Sequence, residues 1–121
     1  MEPKRRVLIV DDSLEIRDLL TRLLEKDDFE IVGGAATTQE ALDIATRHQP
    51  DFVLLDFLMP QMNGGQLAPL LREAAPAARI IAFSGFLADK PNWADDFLDK
   101  RKMAQVGSLL KSFASPGAQQ T

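Results

Sequence analysis

The stretch Val7-Leu8-Ile9-Val10-Asp11-Asp12-Ser13 runs four apolar residues straight into two acids. A short, unbroken apolar run rich in β-branched residues reads as a strand buried on both faces, as in a parallel sheet. The pattern returns three times. Phe52-Val53-Leu54-Leu55 ends at Asp56, Ile80-Ile81-Ala82-Phe83 ends at Ser84, and Phe97-Leu98 stands two residues before Lys100. In an open parallel sheet the C-terminal strand ends line one edge, where ligands bind. Strand-end placement therefore predicts that Asp11, Asp12, Asp56, Ser84 and Lys100 converge on one acidic pocket.

Between these runs the apolar spacing turns helical. Ile16, Leu19, Leu20, Leu23 and Leu24 form one stripe, N-capped by Ser13 or Asp12 and ended at Asp27-Asp28. Glu30-Ile31-Val32 reads as a short strand closed by Gly33-Gly34. Thr37 and Glu40 have capping-box spacing, ahead of the stripe Ala41, Leu42 and Ala45, and Gln49-Pro50 stops that helix. Met59 to Gly65 is rich in turn residues. Leu67, Leu70 and Leu71 mark a third helix, ended before Pro76. Met103, Val106, Leu110 and Phe113 mark a last one, weakened by Gly107. Alternating strands and helices imply a parallel α/β sheet with right-handed crossovers. We read residues 1–121 as one domain, with a core from about 5 to 113 and a frayed tail over 115–121.

Composition sets outer bounds. Apolar residues at 45% and charged residues at 26% suit a globular fold with a real core. A net charge of −4 disfavours direct nucleic-acid binding, which needs a basic face. No cysteine is present, which removes disulfides and thiolate metal sites and suits a reducing, cytoplasmic setting. No apolar run approaches the roughly 20 residues of a membrane span. The start of the chain reads as a strand lead-in and not as a signal peptide.

The run Val7 to Ser13 resembles the opening of a two-component response-regulator receiver domain. Asp51-Phe52-Val53-Leu54-Leu55-Asp56-Phe57-Leu58-Met59-Pro60-Gln61-Met62-Asn63-Gly64 is similar to that family's phospho-acceptor strand and loop. The resemblance extends from about Arg5 to Phe113. It implies a flavodoxin-like, doubly wound, five-stranded parallel sheet of order 2-1-3-4-5. It further implies that Asp56 accepts a phosphoryl group from a phosphohistidine, on a sensor histidine kinase or a histidine phosphotransfer protein. The domain would then catalyse its own phosphorylation and dephosphorylation.

Three carboxylates in one cleft repel, and a hard divalent cation relieves them. Mg²⁺, with Mn²⁺ as an alternative, takes oxygen ligands in an octahedron and keeps several waters. Asp12 and Asp56 would bind directly and Asp11 through water; the resemblance adds the Leu58 backbone carbonyl. Lys100 and Ser84 would hold the transferred oxygens. Ser84 and Phe97 take the family's switch positions. Leu58 and Phe86 take the positions that modulate attack by water. A homodimer or a downstream effector would use the face of strand 4, strand 5 and the last helix.

Each residue has a plainer reading. Asp11-Asp12 could serve as a helix N-cap alone, Ser84-Gly85 as an ordinary turn, and Lys100-Arg101-Lys102 as a solvated charge run. Their joint order favours the functional reading. His48 is given no role, and Met59 with Met62 reads as loop packing. Three features depart from the family. Arg101 follows Lys100 where the family has proline, so a trans bond or a strained loop is expected. The segment from Ser84 to Lys100 is short and interrupted by Pro91-Asn92, so helix 4 should be short or missing, with Trp93 filling its place or serving as an aromatic anchor. The flanks Leu58 and Phe86 are apolar. These departures keep a second class open: a receiver-like interaction module that works without phosphorylation.

Overall fold

The computed structural model describes residues 3–113; the expected tail over 115–121 lies outside them. Five parallel strands form one sheet in the order β2-β1-β3-β4-β5. They are β1 (Arg6–Val10), β2 (Glu30–Ala35), β3 (Phe52–Leu55), β4 (Arg79–Ser84) and β5 (Asp96–Asp99). Helices α1 (Leu14–Lys26), α2 (Thr38–His48), α3 (Gly64–Ala74) and α4 (Val106–Lys111) cover its two faces. This is the doubly wound, flavodoxin-like architecture expected.

The unbroken apolar strands have a simple cause: both faces are buried. Leu8, Val10, Val53, Leu55, Ile80 and Ala82 point to one side and pack with Ala41, Ala45, Leu67 and Leu71 of α2 and α3. Val7, Ile9, Phe52, Leu54, Ile81 and Phe83 point to the other and pack with Leu20, Leu24, Val106 and Leu110 of α1 and α4. The period-2 alternation of strand side chains divides each run between these two cores. Helix starts follow local chemistry. Ser13 caps α1, and capping boxes of Thr37 with Glu40 and Asn63 with Gln66 open α2 and α3.

Several local expectations need correction. Gly33-Gly34 does not close β2, which continues to Ala35. The glycines make room for neighbours: a Cβ at Gly33 would lie 2.9 Å from Ile44 Cδ1, and one at Gly34 would lie 3.2 Å from Arg17 Cδ. Leu70 is not in the buried stripe of α3; it is 38% exposed, and Ala68 takes the inner position. Met103 is not in an α-helix. Lys100–Gln105 is a 3-10 turn, with Lys102 out of helical geometry, and α4 begins only at Val106. Gly107 is a contact residue, since a Cβ there would run into the Asp27 carboxylate at the end of α1.

No helix forms between β4 and β5. The connection over residues 85–95 is instead tied down by side chains. Arg72 of α3 donates to the Trp93 carbonyl at 3.0 Å and pairs with Asp95 at 3.3 Å. The Asp95 carboxylate accepts from Ile80 N–H at 2.8 Å. The indole of Trp93 lies on the first turn of α3, where a Cβ at Gly64 or Gly65 would come within about 3 Å of it. Trp93 thus packs against the first turn of α3 from within the connection that lacks a helix.

Candidate functional site

The strand register brings the five sequence-predicted residues to one edge. Val10 pairs with Leu55 and Leu55 with Ala82, so Asp11, Asp56 and Ser84 follow at neighbouring strand ends. Ser84 pairs with Asp99, which places Lys100 beside them. The ladder extends one step past the strands: Asp11 N–H donates to Ala35 O and Asp56 N–H to Val10 O, both at 3.0 Å.

Asp11 is 1% exposed. Its Oδ1 accepts from Ser13 N–H at 2.9 Å. Its Oδ2 makes no well-aligned hydrogen bond and faces Lys100 Nζ at 2.7 Å. Asp56 is 5% exposed, with Oδ2 at 3.4 Å from Lys100 Nζ and Oδ1 weakly bonded by Leu58 N–H at 3.4 Å. Asp12 is exposed and lines the mouth of the site. Each of the three carboxylates offers an oxygen within 4.8 Å of the others. Ser84 is buried, and its Oγ accepts from Phe86 N–H at 3.0 Å. Above these groups opens a cleft of about 490 Å³, lined by Asp12, Asp56, Leu58, Ser84, Gly85, Phe86 and Lys100.

The electrostatics follow from that crowding. Burial raises the Asp56 pKa first, the Asp11 charge raises it further, and Lys100 opposes both. Burial works against the Lys100 ammonium, but its close contact with Asp11 and attraction to it, reinforced by Asp56, leave its pKa raised. The cleft therefore holds an excess of negative charge with one fixed cation. Three carboxylates that each bring an oxygen within 4.8 Å of the others fit a hard cation bound by oxygen ligands.

The flanking positions are apolar. Leu58 and Phe86 are 53% and 68% exposed beside the acceptor. Phe86 stacks on Phe57 with centroids 5.8 Å apart, and Phe57 stacks on Trp93 at 6.3 Å. Phe97 is half-buried and packs toward the α2–α3 core. All peptide bonds among the described residues are trans, including Lys100–Arg101. Asp99 closes that turn by accepting from Arg101 N–H at 2.9 Å and from its guanidinium. Those hydrogen bonds hold the Asp99 carboxyl down to about 2. His48 is exposed at the end of α2, at the N-terminal edge of the sheet, away from the site. The Asp99–Arg101 clamp and the Phe57 stack were missed from sequence, because in each case a charge run or a loop aromatic has the same appearance without its contacts.

A five-stranded sheet of this order, with acids, a serine and a lysine at its strand ends, defines a phospho-acceptor receiver domain. The sequence profile of the response regulator receiver domain matches residues 7–114, and the chain belongs to that family. It is 40% identical over 80 residues to a protein-glutamate methylesterase/protein-glutamine glutaminase of Maricaulis maris, covering 65% of this chain and 20% of that protein. It is 32% identical over 106 residues to the nitrate/nitrite response regulator protein NarL of Escherichia coli, covering 87% of this chain and 47% of NarL. The chain thus spans less than half the length of these curated relatives. Among solved structures, the response regulator domain of Thermotoga maritima CheB matches with TM-score 0.77 and 28% identity, over 89% of this chain and 91% of that one. Response regulator protein TrrA of the same organism, solved in complex with Mg²⁺-BeF, matches with TM-score 0.78 and 28% identity, over 88% and 96%. Receiver domains of response regulators accept phosphate from histidine kinases and bind Mg²⁺ at an acidic aspartate cluster. No helix among the described residues is long and apolar enough to cross a membrane.

Proposed function

We propose that this domain takes a phosphoryl group onto Asp56 from a phosphohistidine of a sensor histidine kinase or phosphotransfer protein, in the cytoplasm. The observation that carries this is the buried Asp56 carboxylate, held 3.4 Å from Lys100 beside two further acids at the mouth of an open cleft. An Asp56 carboxylate oxygen attacks phosphorus in line as the P–N bond breaks. The departing nitrogen keeps the electron pair, and the ring, protonated at its other nitrogen, leaves as neutral imidazole. Lys100 offers its ammonium to the phosphoryl oxygens. Ser84 Oγ accepts from Phe86 N–H, which leaves its own proton free to donate to a phosphoryl oxygen. Asp12 and Asp56 would hold Mg²⁺, or Mn²⁺, directly, with Asp11 acting through water and the Leu58 carbonyl completing the set. When bound, the ion supplies positive charge that offsets the carboxylates and the transferring group.

Movement of Ser84 toward the phosphate, with reorientation of Phe97, would carry the signal to the β4–β5–α4 face and so to a second copy or an effector. Phe57 links the acceptor loop to Trp93 by stacking, so the only tryptophan should report occupancy of the site. Beryllofluoride and Mg²⁺ added together should change Trp93 emission and raise the melting temperature, whereas either alone should leave the emission unchanged. If beryllofluoride with Mg²⁺ alters neither quantity, the interaction module without phosphorylation becomes the better reading.

Leu58 and Phe86 cannot orient a water for in-line attack, and they line the cleft that holds the acceptor. The aspartyl phosphate should therefore decay slowly. Leu58→Asn combined with Phe86→Glu should speed decay about a hundredfold, the low end of what a positioned general base contributes. Phosphate release followed after removal of the donor measures this, and unchanged or slower decay would refute shielding.

A further inference from the structure

We propose that Arg17 is a positioning residue for the acidic pair, an inference that rests on the cation-binding role given to that pair above. The Asp12 carboxylate is exposed, and among the described residues it accepts no hydrogen bond and makes no ion pair. Its place relative to Asp11 and Asp56 is therefore set by its backbone, and first by the Asp11–Asp12 peptide. That peptide's carbonyl accepts from Arg17 Nη1 at 2.7 Å. On the other side of the same residue, Asp11 N–H donates to Ala35 O at 3.0 Å. The exit of β1 is thus gripped from both sides, once by the sheet and once by a side chain from α1.

The path of that side chain explains a glycine. Arg17 is half-buried and crosses the end of β2 at Gly34, where a Cβ would stand 3.2 Å from its Cδ and 3.4 Å from its Nε. Glycine is otherwise unfavourable inside a strand, and Gly34 has no positive φ that would require it. The surface left open by Gly34 is occupied by the Arg17 stem. A fixed guanidinium is also a poor choice on charge grounds if its only effect were electrostatic, because a cation near a cation site weakens it. Its use as a donor to the Asp11 carbonyl offsets that cost by holding the ligand-bearing backbone in place.

Relief of charge repulsion would tighten Mg²⁺ binding when Arg17 is removed, whereas loss of positioning would weaken it. Mg²⁺ affinity of the full chain is measured by calorimetry for the wild type, R17A, R17K and G34V, with apo melting temperatures taken in parallel. Positioning predicts that R17A weakens Mg²⁺ binding about tenfold, the low end for losing an outer partner of a ligand. R17K should recover part of the loss. G34V keeps a residue that strands favour and crowds the Arg17 stem, so it should weaken binding in the R17 wild type and add nothing in R17A. Equal or tighter binding by folded R17A would overturn the proposal while leaving Asp56 phosphorylation intact. If R17A does not fold, unchanged affinity in G34V overturns it instead. A wild type that binds no Mg²⁺ removes both this proposal and the cation role of the site.

Discussion

Lys100→Met is expected to lower the stability of the metal-free protein at neutral pH by about 3 kcal/mol. That is the low end for removing one partner of a buried charge pair, because the cleft above the site admits solvent. Lys100 Nζ is the cation within 4 Å of both Asp11 and Asp56, which are 1% and 5% exposed. Without it, two buried carboxylates face each other beside Asp12. Methionine fills much of the same volume, so loss of packing contributes little. The same variant should gain more from Mg²⁺ than the wild type does, since the ion then replaces the missing charge. Thermal melts with and without Mg²⁺ read both effects. A Lys100→Met protein as stable as wild type in EDTA would mean that these carboxylates are not ionised together.

Asp56→Asn should act in the opposite direction and stabilise the metal-free fold at pH 7, by roughly 1–3 kcal/mol, the scale of one close like-charge contact in a half-solvated cleft. Burial and Asp11 raise the Asp56 pKa above its ordinary value of 3.8. The folded state therefore holds the Asp56 proton more tightly than the unfolded chain does. Below the unfolded pKa both states are protonated and the group costs nothing. As pH rises from there through the elevated folded pKa, the folded state loses stability, and above it the cost is complete. The advantage of Asp56→Asn over wild type should thus shrink as pH falls through that window. Mg²⁺ should also shrink it. Denaturant midpoints across pH for the two proteins measure the difference, and an advantage that grew on acidification would contradict the assigned cause.

The strand ends were legible in the sequence because a strand buried on both faces must be apolar throughout. The first acid after such a run is then conspicuous, as at Val10-Asp11 and Leu55-Asp56. The missing helix was legible too, since the segment before Lys100 is short and carries Pro91-Asn92. The failures share one physical origin. Gly33 and Gly34 look like a turn, but they lie in a strand because Ile44 and Arg17 occupy the space where their side chains would be. Gly107 looks like a weak point in a helix, but it is the contact with Asp27. Met103 has helical spacing, but the Asp99–Arg101 clamp tightens the chain into a 3-10 turn first. In each case the deciding atom comes from a segment distant in sequence or from a side-chain hydrogen bond that local periodicity does not encode. Arg17 belongs with them: nothing near it in sequence distinguishes it from a solvated helix arginine.

Asp56 alone is expected to carry the phosphoryl group. The most direct test is intact-protein and peptide mass analysis after incubation with phosphoramidate and Mg²⁺. One added phosphoryl group is expected on the wild type, within the peptide containing Asp56, lost to hydroxylamine and absent from Asp56→Asn. An equal, hydroxylamine-labile phosphoryl group on Asp56→Asn, or none on a wild type that demonstrably binds Mg²⁺, would contradict it.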